Sequence, residues 1–173
     1  MNVKTSISLL RRIAAGAAVA LAIVARSAGA VGVGAAAPAF ALPDVAAKTV
    51  SLAALKGHVV YVDFWASWCG PCRRSFPWMN AMQRKYGAQG LEVVAINVDK
   101  RRADADRFLA QVPAGFTTLF DPAGTTPDRY DVKSMPSSVL IDADGNVALV
   151  EEGFRDERRD ALEARIRALL ERS

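Results

Sequence analysis

The chain is poor in the residues that build metal centres and disulfide frameworks: in 173 residues it has two cysteines, Cys69 and Cys72, and one histidine, His58. With no second C-x-x-C and a single histidine, a closed four-ligand zinc site cannot be assembled within one chain. Neither cysteine stands alone in a P-x-x-x-T-x-x-C context, which excludes a peroxidase of that kind. There is no internal repeat and no low-complexity domain. A lasting charge excess is missing too. The formal net charge of +4 equals the four basic residues Lys4, Arg11, Arg12 and Arg26, and positions 31–173 carry 18 basic against 18 acidic residues. The basic pI is therefore no argument for nucleic acid as a partner.

A membrane-spanning run is also lacking. Lys4, Arg11 and Arg12 precede an apolar run, Ile13 to Ala25, that stops at Arg26 after 13 residues, well short of the ~20 needed to cross a bilayer. Followed by the A-x-A site Ala28-Gly29-Ala30, this pattern predicts a secretory signal peptide over residues 1–30, cut after Ala30. No cysteine lies near the cut to take a lipid, and the flanks of Arg11-Arg12 are poor for twin-arginine export. Residues 31–173 then form one domain of 143 residues, enough for a proper core. An exported protein ordinarily uses cysteines as staples. Here both sit in one C-x-x-C, and a bridge over so short a loop restrains little of the unfolded chain. The pair is placed for exchange chemistry.

What is present is organised around Val59 to Pro77, VVYVDFWASWCGPCRRSFP. Val59 to Trp65 reads as a buried strand. After a turn at Ser67-Trp68 come Cys69-Gly70-Pro71-Cys72 and a helix whose Phe76, Met79, Met82 and Tyr86 recur at helical spacing. Pro71 suits a first helical turn, where its missing N–H has no partner to lose. Cys69 at the helix start meets unpaired N–H groups and the positive end of the dipole, which favour a thiolate. Cys72, one turn on, is expected to be more buried and protonated. A nucleophile beside a resolving thiol is the minimum for thiol–disulfide exchange. Asp63 lies in a strand apolar on both faces, so its pKa should be raised and suited to taking the Cys72 proton. Trp68 reads as a contact surface for substrate, Trp65 and Phe64 as core, and Arg73 and Arg74 as solvated.

Along the chain, Phe40 to Pro43 and Thr49 to Leu52 suggest a hairpin, and Ser51 a cap for a turn through Leu55. His58 to Trp65 is the central strand. Gly70 to Tyr86 is the first helix, ended by Gly87. Leu91 to Val98 is a second strand, and Asp99 reads as the cap of a helix carrying Ala103, Phe108, Leu109 and Val112, stopped by Pro113. Thr117 to Phe120 is a short strand, Thr126 to Tyr130 a helical turn. Val139 to Asp142 and Val147 to Glu151 flank the turn Ala143-Asp144-Gly145-Asn146, whose glycine falls too early for a calcium loop. After Gly153 a closing helix, Arg155 to Arg172, carries Leu162, Ile166, Leu169 and Leu170 as its core stripe, with a Glu163/Arg167 pair on a solvated face. Strands alternating with helices predict an α/β fold with a mixed sheet.

WCGPC after a strand is similar to the thioredoxin superfamily. With DFWASWCGPC, CRRSFP, MPSSVLIDADG and the leader, nearly all of residues 31–173 resembles the TlpA/ResA-like family of exported thiol–disulfide oxidoreductases. The resemblance implies a thioredoxin fold, its mixed sheet covered by helices on both faces, with an N-terminal β-hairpin and a central βα insertion near Asp99 to Asp121. It implies a periplasmic protein-disulfide reductase whose Cys69 attacks and whose Cys72 resolves, Gly70-Pro71 matching reducing relatives. Disulfide-containing exported proteins are the substrates, and a membrane reductant conductor is the donor. No cofactor is needed beyond the Cys69–Cys72 disulfide, no metal and no nucleic acid, and the chain is expected to be a monomer. Pro136 should be cis and face the C-x-x-C, leaving the backbone of Met135 free for an extended substrate. In two places the family pattern is broken: the thioredoxin lysine facing the buried acid is Ala95, and the ResA-like glutamate after the second cysteine is Ser75. Acid–base work then rests on Asp63 alone. The rivals are a dithiol oxidase and a Cu(I) carrier binding through Cys69, Cys72 and Met135.

Overall fold

The computed structural model describes residues 31–173; the signal peptide and its cut after Ala30 lie outside the described residues. A two-stranded hairpin, β1 (Ala41–Pro43) and β2 (Thr49–Ser51), leads through a 3-10 turn over Leu52–Leu55 into the main sheet. Ser51 caps that turn as its sequence position predicts, accepting from the Ala54 N–H. The rest runs β3 (Val59–Trp65), α1 (Cys72–Tyr86), β4 (Leu91–Asn97), α2 (Arg102–Gln111), β5 (Thr117–Phe120), α3 (Thr125–Arg129), β6 (Ser137–Ile141), β7 (Val147–Glu152) and α4 (Arg159–Leu170). The sheet order is β5-β4-β3-β6-β7. β5, β4 and β3 are parallel, β6 runs antiparallel to β3, and β7 runs antiparallel to β6. This is the mixed α/β sheet with an N-terminal hairpin that the sequence predicts.

Alternation along β3 divides the core. Val59, Tyr61 and Trp65 face α1, α2 and α4, packing with Phe76, Met79 and Met82, with Phe108, and with Leu162, Ile166 and Leu169. Val60, Val62 and Phe64 face the other side, where Phe40, Tyr130 and partly buried residues of the hairpin and the 3-10 turn cover them. Trp65, Phe76 and Phe108 meet pairwise with ring centroids 4.7–5.1 Å apart, locking α1 and α2 under the C-terminal end of β3.

The lead-in and hairpin also serve the sheet's edges. Asp44 bridges Leu119 on the side of β5 away from β4. Gly34 and Ala35 exchange hydrogen bonds with Val147, on the side of β7 away from β6.

Several local readings are corrected. The first helix ends at Tyr86 with Gly87 as its C-cap, as expected, but a 3-10 turn over Gly87–Gln89 follows, and the left-handed residue is Gly90, at φ +100°. Asp99 does not cap α2, whose N-cap is Arg101 with no side-chain bond, and Ala105 rather than Ala103 faces the core. β6 begins at Ser137 because its serines find partners: Ser137 Oγ donates to the Ser134 carbonyl, and Ser138 Oγ accepts from the Tyr61 hydroxyl at 2.8 Å. The closing segment is a 3-10 turn, Asp156–Arg158, followed by α4. Glu163 reaches across to Lys85 (2.5 Å) and the Tyr86 hydroxyl (2.7 Å) of α1 instead of pairing with Arg167.

Candidate active site

Strand β3 delivers the chain to the end of the sheet, where the Cys69 N–H turns back onto the Ala66 carbonyl at 3.1 Å. The N–H groups of Arg73 and Arg74 bond to the carbonyls of Gly70 and Pro71 in a tight turn. The regular helix therefore starts at Cys72, with Pro71 at its N-cap rather than inside its first turn. Cys69 and Cys72 form a disulfide with their Cα atoms 5.4 Å apart. The backbone N–H of Cys72 points at Cys69 Sγ, 3.2 Å away. That donor, with the helix dipole behind it, favours negative charge on this sulfur. Cys72 is fully buried and Cys69 is 3% exposed, whereas Trp68 beside them is 71% exposed. Gly70 and Pro71 are exposed as well, and nothing lies within 4 Å of where a Cβ on Gly70 would stand.

Asp63 is 1% exposed, and alternation puts it with Tyr61 and Trp65 on the face that holds the cysteines. Its neighbours across the sheet are Ala95 and Ser138. Burial raises its carboxyl well above the ordinary value, with no cation to oppose it, and among the described residues its Oδ2 has no hydrogen-bond partner. Ser75 is buried and donates to the Cys72 carbonyl at 3.1 Å. Arg73 stays exposed, yet it is braced: its guanidinium lies 5.0 Å from the Phe108 ring centroid and donates to Gln111.

The Met135–Pro136 peptide bond is cis. Ser137 pairs with Phe64, so the next step along β6 brings Pro136 level with Trp65, at the sheet end that carries the cysteines. Met135 is half-buried and packs against both halves of the core. Among the described residues its backbone N–H and carbonyl make no hydrogen bond. The structure thus gathers Asp63, Cys69 and Cys72 on one face, with Trp68, Gly70, Pro71, Met135 and Pro136 at the same end of the sheet. Such a site can transfer two electrons between a dithiol and a disulfide.

Sequence reasoning missed one part of this site. Ser67, Asn97 and Asp99 form a hydrogen-bonded cluster beside the cysteine turn. The Asn97-x-Asp99 spacing was its one local signal, and an aspartate ahead of a helix reads first as a cap.

The redoxin family model matches residues 32–166. The thiol-disulfide oxidoreductase ResA of Bacillus subtilis (strain 168) is 35% identical over 121 residues, 70% of this chain and 68% of that protein. A ResA of Bacillus cereus is 34% identical over 131 residues, covering 76% and 75%. The crystal structure of a candidate thiol:disulfide interchange protein DsbE from Chlorobium tepidum superposes with a TM-score of 0.79 at 56% identity, covering 82% of this chain and 99% of that one.

Proposed function

This chain belongs to the redoxin family, as a TlpA/ResA-like thiol–disulfide oxidoreductase of the thioredoxin superfamily, and we propose that it works in the periplasm as a reductase of exported protein disulfides. The observation that carries the reading is the cysteine pair at the start of α1, with the Cys72 N–H on Cys69 Sγ. In the reduced protein the Cys69 thiolate attacks a substrate disulfide. A bond forms between Cys69 Sγ and one substrate sulfur, the substrate S–S bond breaks, and the departing thiolate takes a proton. Cys72 then gives its proton to Asp63 and attacks Cys69 Sγ. The Cys69–Cys72 disulfide closes and the second substrate thiolate leaves, two electrons having passed to the substrate. The buried, cation-free setting of Asp63 supports its part as proton acceptor.

Substrate docks on Trp68, over Gly70 and Pro71, and along Met135 and Pro136, pairing an extended segment with the free backbone of Met135. The protein acts as a monomer, and a dithiol from a membrane reductant conductor restores the cysteines. Export rests on the leader read in residues 1–30. The test is the reduction potential of residues 31–173, with turnover of a test disulfide under a supplied dithiol. A potential in the thioredoxin range near −270 mV is expected. A value near −120 mV would mark a dithiol oxidase, and no turnover with one Cu(I) bound per chain, lost in Met135→Ala, would mark a copper carrier.

A further inference from the structure

We propose that Asp99 is a positioning residue for the cysteine pair, gripping Ser67 and so fixing the turn that aims Cys69 at the helix N-terminus. The inference rests on Cys69 being the nucleophile. Asp99 is 7% exposed and stands three residues before α2, yet it caps nothing there. Its Oδ2 accepts the backbone N–H of Ser67 and the side-chain amide of Asn97, each at 2.8 Å. Its Oδ1 accepts the Ser67 hydroxyl at 2.9 Å, and its own N–H donates to Asn97 Oδ1 at 3.0 Å. All these partners are neutral, and no ion pair among the described residues includes Asp99. A buried carboxylate so placed is tolerated only because oriented donors satisfy it.

The grip falls where the chain leaves the sheet. Trp65, the last residue of β3, accepts from the Val98 N–H at 3.0 Å, and two residues on Ser67 is held twice by Asp99. Residues 97–99 thus fix the backbone on both sides of Ala66, whose carbonyl receives the Cys69 N–H. Trp68, between the clamped serine and Cys69, keeps its side chain exposed for a partner. The 3.2 Å approach of the Cys72 N–H to Cys69 Sγ depends on this turn, and reactive geometry is sensitive to displacements of an ångström or less.

Asp99→Ala, Asp99→Asn and Ser67→Ala test the proposal, read by alkylation of Cys69 against pH, by the rate of attack on a test disulfide, and by denaturant midpoint. Asp99→Ala should raise the apparent Cys69 pKa toward the free-thiol value and slow attack about tenfold. Asp99→Asn should restore most of both, because its amide oxygen accepts the Ser67 N–H and its amide donates to the hydroxyl. Ser67→Ala, which keeps the backbone bond, should lose less than Asp99→Ala. Equal shifts in the Asn and Ala variants would show that the bonds to Ser67 do not set the Cys69 pKa, downward ones marking loss of a nearby negative charge, and a lower midpoint with Cys69 unmoved would make Asp99 a brace of the fold; either overturns the proposal. Should Asp99→Ala fail to fold, an unchanged Cys69 titration in Ser67→Ala overturns it. A wild-type protein that attacks no disulfide would instead overturn the function.

Discussion

The residue that the chemistry strains most is Asp63. Burial raises its carboxyl above the ordinary 3.8, so above that value the folded state keeps a proton that the unfolded chain releases. Its contribution to stability is therefore full below pH 3.8 and is lost as the pH climbs through the raised value. Asp63→Asn removes the penalty. The variant should be more stable than wild type to urea at neutral pH, with the difference closing at acid pH. In stopped-flow experiments it should slow Cys72-dependent release by roughly 10² to 10⁴ while leaving the first attack nearly unchanged. Equal release rates, or a less stable variant, would make Asp63 an ordinary strand residue. The cysteines divide by the same logic. Cys72→Ser should accumulate mixed disulfides with exported proteins and Cys69→Ser should not, and Cys69 should titrate below the ~8.5 of a free thiol.

Among the elements, α1 bears both chemistry and core. Phe76→Ala removes the ring between Trp65 and Phe108, and calorimetry or denaturation should find a cost of about 3–5 kcal/mol. The tie from α4 to α1 is weaker: Glu163→Gln should cost less than about 1 kcal/mol. Hydrogen bonds from Lys85 and then Tyr86 lower the Glu163 carboxyl, so wild type should lose this advantage as the pH falls through the lowered value. The elements also show what a sequence can disclose. β3 and β4, and the apolar stripes of α1 and α4, were legible because burial imposes a period on neighbouring residues. Asp99 misled because Ser67 lies 32 positions away, and Glu163 because its partners on α1 are 77 and 78 positions away. Ser137 and Ser138 carry no strand signature until Ser134 and Tyr61 supply their bonds. The cysteines, Asp63 and Pro136 were legible through motif and strand context; the cluster that holds the turn depends on contacts that no local pattern records.

At the scale of the whole molecule, mass spectrometry of the exported protein should find its N-terminus at Val31; full-length chain in the membrane pellet would contradict the leader. The sheet's outermost strands are each partly covered by residues 34–44, Asp44 against Leu119 of β5 and residues 34–35 against Val147 at the start of β7. Further along β7, Glu151 is engaged by Arg155 and Arg158. A bare strand margin offers its N–H and carbonyl groups to any extended polypeptide and can seed aggregates. A thiol–disulfide oxidoreductase that exchanges with protein substrates meets such polypeptides wherever a substrate is extended. With residues 34–44 occupying part of each margin, less bare strand is left for a foreign segment to join.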